Sequence, residues 1–187
     1  MVALWRSNFN INFPFYYTQL TSREDRAAWP EFRNAQRELL NDVPNSKMAI
    51  ILDVGDRHDT HAKNKKPVGE RLALLALGDT YQILNDYESP IFDKITFSKN
   101  KGCIHFKGNF YSFKKTKSRD IIGFEISNDS INYQEFKPTI RKKTIKFKIP
   151  KQYKKPIYIR YAWKAYTEAN LTSKNGLPVS TFRTEIK

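Results

Sequence analysis

Cysteine and long apolar runs are almost absent from this chain. Its one cysteine, Cys103, excludes an intramolecular disulfide and gives no firm indication of the compartment. No apolar run approaches the roughly 18 residues that a membrane-spanning helix needs, so the sequence predicts no membrane partner. The first ten residues, MVALWRSNFN, lack the charged-then-apolar order of a secretion signal. These absences exclude a disulfide scaffold and leave the localisation open.

Acidic residues are scarce in the second half of the chain. The 187 residues carry a formal net charge of +14 and are 40% hydrophobic, which is typical of a folded protein. Residues 1–89 hold 11 basic and 12 acidic side chains, which leaves 22 basic and 7 acidic side chains for the remainder. We therefore predict two parts with different surfaces, 1–88 and 89–187.

Residues 1–88 alternate between strand and helix patterns. The aromatic segment 13–20 indicates a buried strand, and the apolar run 47–54 is typical of a parallel strand covered on both faces. Between them, a helix begins near Pro30, and a second helix that begins at Pro67 is expected to be well buried. The residues at helical spacing in the first helix are Phe32, Ala35, Gln36 and Leu39. This βαβα order predicts part of an α/β domain with a parallel sheet.

In residues 89–187 the apolar period changes from helical spacing to alternation. Ile145, Phe147 and Ile149 alternate with lysines. Other short segments, separated by Gly, Asn, Ser or Lys, are 91–98, 102–107, 121–126 and 131–137. Several short alternating strands predict an antiparallel β-sandwich, with its lysines on the solvent side. Lysine-rich strand faces are usually solvated, so we predict no nucleic-acid partner.

The loop between the second strand pattern and the second helix carries the densest functional chemistry. It runs Gly55-Asp56-Arg57-His58-Asp59-Thr60-His61 and holds two imidazoles and two carboxylates. A carboxylate beside a histidine can hold the imidazole in one tautomer and stabilise the imidazolium formed during proton transfer. Functional groups in such sheets gather beyond the carboxyl ends of the strands. The loop is therefore predicted to be half of an active site.

A metal site is the alternative interpretation of this loop. Its aspartates and histidines could supply oxygen and nitrogen ligands. The spacing matches no established zinc pattern, and the only cysteine is remote in the sequence, so we predict no metal. No motif indicates a cofactor.

A nucleophile for the histidine is missing from the pattern. No serine lies in a strand-to-helix elbow such as G-x-S-x-G. Ser7, Ser22 and Ser46 lie in polar stretches typical of caps and turns. Cys103 lies in a strand pattern, where a small buried hydrophobic residue is expected.

Three ordered blocks of the sequence resemble the sialate O-acetylesterase family, a branch of the SGNH-type serine hydrolases. The first is FPFYYTQL at 13–20, followed by WPEFRNAQ at 29–36. The second is VGDRHDTHAKNKKPVGERLALLAL at 54–77, which is similar to the C-terminal signature of the family. The third is RYAWKAYTEANLTSKNGLPVSTFRTE at 160–185. The resemblance implies that 1–88 is part of an SGNH-like hydrolase domain ahead of the β-sandwich.

The resemblance also implies roles for individual residues. His61 matches the general base of the family, with Asp59 as the first and Asp56 as the second choice for its carboxylate partner. SGNH enzymes generally show Asp-x-x-His, and here His58 stands at the aspartate position. Arg33 and Gln36 match recurrent positions on the first helix, which implies substrate contact or a structural role.

The implied function is hydrolysis of acetyl esters on sugars by a Ser-His-Asp mechanism. In the family, the nucleophilic serine and the oxyanion-hole residues precede the segment that Leu4-Trp5-Arg6 matches. We therefore expect the chain to be a C-terminal portion, inactive alone, whose partners are an acetylated sugar and an upstream hydrolase segment that carries the serine. Family members are often periplasmic or secreted. The alternative is a non-catalytic basic β-sandwich module that binds glycans or acidic polymers.

Overall fold

The computed structural model describes residues 1–59, 61, 63–153 and 157–184. The α-helices are α1 (Val2–Phe9), α2 (Trp29–Asp42) and α3 (Lys66–Leu75). The strands are β1 (Phe15–Thr18), β2 (Ser46–Ala49), β3 (Ile91–Ser98), β4 (Lys101–Lys107), β5 (Phe124–Ser127), β6 (Gln134–Glu135), β7 (Thr139–Arg141), β8 (Thr144–Lys148), β9 (Tyr158–Tyr161) and β10 (Phe182–Arg183). None of the helices in this part of the chain combines the length and apolar character that crossing a lipid bilayer requires.

Strands β1 and β2 form a parallel pair. Phe15 lies opposite Ser46, and Thr18 lies opposite Ala49. Parallel neighbours need a crossover connection, and α2 supplies it. Pro30 lies in the first turn of α2, where its missing N–H costs no intrahelical hydrogen bond. Because the two strands run in the same direction, both lead into loops at one edge of the pair.

Helix α2 buries two arginines and exposes two of its large apolar side chains. Arg33 and Arg37 are buried, whereas Phe32 is 55% exposed and Leu39 is 45% exposed. An amphipathic helix normally turns its apolar stripe towards the core. The apolar stripe of α2, defined by Phe32, Ala35 and Leu39, instead lies on the surface of the described chain.

Helix α3 is less buried than its sequence suggests. Only Arg71 and Leu75 of α3 are buried, and Leu77 in the π-helical turn that follows is 37% exposed. The prediction of a well-buried second helix is therefore wrong. The physical reason is that α3 packs on a sheet of two strands, which is too narrow to surround it.

The second half of the chain forms two antiparallel sheets of four strands each, among the described residues. Their strand orders are β3-β4-β8-β7 and β10-β9-β5-β6. Side chains from both sheets share one apolar core, in which Ile104 from the first sheet and Ile159 from the second are fully buried. The rings of Phe106 and Phe182 meet edge-on, 6.0 Å apart between centroids. The antiparallel part of the predicted fold is therefore observed.

The predicted parallel hydrolase sheet is only a small part of the structure. The run 47–54 is a strand only as far as Ala49, and the chain then enters a 3-10 turn, Leu52–Val54. Met48 and Leu52 belong to the same apolar core as the antiparallel sheets. The two halves of the chain therefore share packing across residue 88, and the division into domains 1–88 and 89–187 stays a prediction.

Candidate active site

The histidine loop, residues 55–65, lies between β2 and α3 at the edge where both parallel strands end. The continuation of β1 runs beside it. A Cβ atom built on Gly55 would lie 2.6 Å from the carbonyl oxygen of Ser22 and 2.6 Å from the hydroxyl of Thr21. Glycine is therefore required at this position by the close approach of a neighbouring backbone. This approach brings the loops that follow the two strands into direct contact.

An ion pair fixes the start of the loop to α3. The guanidinium of Arg71 donates to both carboxylate oxygens of Asp53, each at 2.6 Å, and to the carbonyl oxygen of Ile50 at 2.8 Å. The Arg71 side chain is buried. Bidentate arginine–carboxylate pairs are among the stronger and more directional polar contacts in proteins. The contact therefore holds the entry to the loop against the helix that follows it.

Arg57 fixes the middle of the loop to two other segments. Its guanidinium donates to the carboxylate of Glu24 at 2.6 Å and lies 4.3 Å from the ring centroid of Tyr166. The backbone N–H of Glu24 also donates to the carbonyl oxygen of Arg57 at 3.0 Å. A cation over an aromatic face adds a favourable electrostatic contact. Arg57 therefore joins the loop after β1, the histidine loop and the C-terminal segment.

Both aspartates of the loop accept hydrogen bonds from nearby backbone N–H groups. Asp56 accepts from His58 at 2.9 Å and from Asp59 at 3.2 Å, and Asp59 accepts from His61 at 2.8 Å. Such turns are a common use of aspartate in loops. The bond from His58 lowers the pKa of the Asp56 carboxyl below its ordinary value, and Lys63 at 3.5 Å contributes to this shift.

The imidazole rings of His58 and His61 are both exposed. Among the described residues, no hydrogen bond or ion pair joins the His61 ring to a carboxylate or a hydroxyl. Asp59 contacts the backbone of His61 and not its ring. The structure therefore brings the three predicted catalytic residues, His61, Asp59 and Asp56, into one loop without forming the ring contact. Their catalytic roles stay a prediction. Thr60 and Ala62 lie outside the described residues.

Arg33 lies in the interior and makes structural contacts. It is fully buried, and its guanidinium donates to the carbonyl oxygens of Thr21, Ala162, Lys164 and Ala165 and to the hydroxyl of Thr181. Burial lowers the pKa of the guanidinium, which nevertheless stays protonated near neutral pH. These contacts tie α2 to the C-terminal segment.

Gln36 also makes structural contacts. It accepts from the N–H of Leu20 at 2.7 Å and donates to the carbonyl oxygen of Thr18 at 3.3 Å. These bonds fix the end of β1 to α2. The contacts of Arg33 and Gln36 are explained by structural roles. Substrate contact by either residue stays a prediction.

The serine and cysteine considered as nucleophiles, and the possible metal ligands, form no site among the described residues. Ser22 is buried and donates to the carbonyl oxygen of Leu52 at 3.3 Å, which is a structural role. Cys103 is half-buried on β4 and not in the core, because it lies on the outward side of its strand. Within the described ranges, no three side chains of His, Cys, Asp or Glu are arranged to hold a metal ion.

A cavity of about 370 Å³ lies beside the histidine loop. Arg57 and Glu24 line one part of it, and Trp163 and Tyr166 of the C-terminal segment line another. Two acid–base pairs line it, Glu24 with Arg57 and Glu135 with Lys164 at 3.2 Å. Glu125 also lines it and pairs with Arg160 at 2.8 Å, outside the lining. Trp163 and Tyr166 both lie in the third sequence block, which is the signal in the sequence that could have linked them to the site.

The comparisons with known proteins bear on the fold of the chain and not on the position of the site. No protein-family model matches the chain, and no curated protein matches it significantly. Among solved structures, the chain is similar to a carbohydrate acetylesterase from Xanthomonas citri, with 27% sequence identity and a TM-score of 0.85. The match covers 99% of this chain and 44% of that enzyme. The chain therefore has a carbohydrate-esterase-like fold and spans less than half the length of that enzyme.

Proposed function

We propose that this chain is the histidine-bearing part of a carbohydrate acetylesterase. The observation that carries the proposal is the likeness to the Xanthomonas citri enzyme over 99% of the chain. The position of the histidine loop at the carboxyl edge of the parallel pair supports it, since this edge collects functional groups in α/β sheets. In this proposal, the nucleophilic serine lies on polypeptide outside these 187 residues.

The proposed chemistry is that of an SGNH-type serine hydrolase. The His61 imidazole accepts the proton of the serine hydroxyl as the serine oxygen attacks the acetyl carbonyl carbon. The tetrahedral intermediate then expels the sugar oxygen, which takes the proton back from the imidazolium. Water repeats the sequence and releases acetate. Asp59, or Asp56 in its place, orients the imidazole once its carboxylate turns from the backbone to the ring.

The exposed apolar stripe on α2 supports a partner segment. Large apolar groups that stay exposed beside each other often mark a surface that another polypeptide covers. The parallel pair adds to this argument, because parallel sheets are normally wider and covered on both faces. We propose that the segment that carries the serine extends the parallel pair and packs on Phe32 and Leu39.

We propose that the sugar occupies the cavity of about 370 Å³ beside the loop. Its paired acids and bases can exchange hydrogen bonds with sugar hydroxyls, and Trp163 and Tyr166 offer apolar surface to a sugar ring. We propose further that the acetylated sugar is a sialate. A sialate carries a carboxylate, and Arg57 and Lys164 are the cations at the cavity that could receive it.

The proposal is tested with a chimera that joins this chain to the part of the Xanthomonas citri enzyme outside the alignment. We expect the chimera to hydrolyse p-nitrophenyl acetate and an acetylated sugar, and the chain alone to leave both unchanged. A single cooperative melting transition of the chimera serves as the folding control. A folded chimera without activity would contradict the proposal.

The sialate form is tested on the same chimera. We expect Lys164→Gln to lower kcat/KM for an O-acetylated sialic acid by about 10-fold and to leave an acetylated neutral sugar within about twofold. Equal effects on both substrates would remove sialate specificity and leave the esterase proposal intact.

A further inference from the structure

The outer face of the β3-β4-β8-β7 sheet carries five basic side chains in register. Lys101 lies opposite Lys148, and Lys146 lies opposite Cys103 and Thr139 in the neighbouring row. Their neighbours in sequence, such as Gly102, Ile104 and Phe147, are buried on the other side. We call this surface the basic face. Its members are Lys94, Lys101, Arg141, Lys146 and Lys148, all exposed.

One acidic residue borders the basic face: Asp93, which is exposed and precedes Lys94 at an irregularity in β3. The strand segments 94–98, 101–105, 139–141 and 144–148 contain no aspartate or glutamate. Within the described chain, none of the five basic side chains has an ion pair. Like charges placed directly opposite on neighbouring strands, such as Lys101 and Lys148, destabilise a sheet. This arrangement therefore carries a cost in the free protein that an anionic ligand would remove.

The basic face borders a cavity of about 770 Å³. Four of its five basic residues line this cavity, Lys94 being the exception, and so do Phe97, Phe136 and Phe147, which pack in or against the core. Lys137 and the hydroxyls of Thr96, Ser98 and Thr139 also line it. Lysines two apart on one strand stand about 6.8 Å from each other, and neighbouring strands are about 4.8 Å apart. The face therefore offers repeated positive charges interleaved with hydrogen-bonding hydroxyls.

The shape and chemistry of the basic face favour one class of ligand. Single-stranded nucleic acid needs aromatic rings for its bases to stack on, and the outward positions of these strands hold no Phe, Tyr or Trp. The one ring among them, His105, is held by Thr96. The phenylalanines that line the cavity pack on each other, with the rings of Phe136 and Phe147 5.0 Å apart between centroids. Duplex DNA is read by an element that enters a groove, and the face of a sheet does not enter one.

We propose that the basic face binds an extended anionic polysaccharide. The basic side chains neutralise its repeated carboxylate or sulfate groups, and the threonine and serine hydroxyls bond to its sugar oxygens. The charge complementarity of the face carries this proposal, which does not depend on the proposed esterase activity.

The test measures binding of the full chain to polygalacturonate by isothermal titration calorimetry, with neutral dextran as the uncharged control. The variant replaces three members of the basic face: Lys101→Gln, Lys146→Gln and Lys148→Gln. The matched control replaces three exposed lysines elsewhere in the chain: Lys114→Gln, Lys115→Gln and Lys117→Gln. Both variants carry the same net charge, so only the position of the removed charges differs.

We expect polygalacturonate to bind the native chain and dextran not to bind. The basic-face variant should bind about 10-fold more weakly, since each exposed charge contact contributes about a factor of two. The control variant should stay within about twofold of the native chain. Raising the salt from about 50 to about 200 mM should weaken native binding steeply and the basic-face variant less.

Three results would overturn the proposal. The first is no binding of polygalacturonate at low salt by a chain whose circular dichroism shows that it is folded. The second is equal weakening by both variants, which would assign binding to net charge alone. The third is tighter binding of a short DNA duplex than of polygalacturonate through the same three lysines, which would make the face a nucleic-acid site.

Discussion

The histidine loop and the basic face use charge in opposite ways. Around the loop, arginines are paired with carboxylates: the buried Arg71 with Asp53, and the exposed Arg57 with Glu24. On the basic face, exposed lysines stand beside each other without a carboxylate in register. Buried charges that have hydrogen-bond partners hold segments in place, because the loss of one partner leaves a polar group unpaired in the interior, away from water. Unpaired exposed charges add little to stability and remain free for a ligand.

Removal of the Arg33 side chain should have the largest effect on stability, because this arginine is buried and fully hydrogen-bonded. We expect Arg33→Ala to lower the free energy of unfolding by about 3 kcal/mol or more, since four carbonyl oxygens and the Thr181 hydroxyl lose their donor. Urea denaturation measures the change. The exposed Arg26, replaced in Arg26→Ala, is the control and should shift the value by less than about 0.5 kcal/mol. Similar small effects of both variants would contradict the account of Arg33 as a structural anchor.

The two glycines near the loop are expected to respond with opposite signs. Gly55→Ala places a methyl group 2.6 Å from the Ser22 carbonyl oxygen, so it should destabilise the chain by about 1–3 kcal/mol. At Gly69, in α3, a Cβ atom meets nothing within 4 Å, and Gly69→Ala should stabilise the chain by up to about 1 kcal/mol. Thermal unfolding of the two variants measures both. Equal stability of the variants would show that the loops after β1 and β2 do not pack as described.

The Arg71–Asp53 ion pair, whose guanidinium is buried, is compared with an ion pair whose two side chains are both exposed. Arg71→Lys keeps the charge but loses the bidentate geometry, and we expect a loss of about 1.5 kcal/mol. The exposed pair of Lys66 with Glu70 on the same helix, 3.7 Å apart, is the comparison. Lys66→Gln should change the unfolding free energy by less than about 0.5 kcal/mol. If both substitutions had the same effect, the loop would not depend on Arg71.

The smallest expected effect on the free energy of unfolding comes from a substitution on the basic face, and it is a stabilisation. Lys148→Glu replaces a like charge opposite Lys101 with an attractive one, so it should stabilise the chain by about 0.5 kcal/mol at low salt. The gain should shrink as salt screens the pair. Chemical denaturation at two salt concentrations measures it. Destabilisation at low salt would indicate that Lys148 has a structural role.

The sequence predicts the antiparallel half of the fold better than the parallel half. Alternation places β3 at residues 91–98 and β4 close to 102–107, because each strand buries one face and solvates the other. Helix α2 shows the limit of such patterns. Its helical spacing is evident, but the sequence does not reveal that Arg33 points inward, since the acceptors lie up to 148 residues away along the chain.

The sequence predicts which residues form the candidate site but not the geometry of their side chains. The histidines and aspartates of the loop are adjacent in the chain, so their proximity follows from the sequence alone. The turns made by Asp56 and Asp59 are local contacts that compete with the predicted ring contact. The cavity lined by Arg57 and Trp163 depends on segments more than 100 residues apart, and no local pattern predicts such a contact.

The role of the exposed imidazole at position 61 is tested most directly by kcat/KM of two matched variants of the chimera. His61→Ala should lower kcat/KM for p-nitrophenyl acetate by about a thousandfold or more, because the serine then lacks its proton acceptor. His58→Ala, three residues away in the same loop, should stay within about threefold. A larger loss at His58 than at His61 would contradict the account.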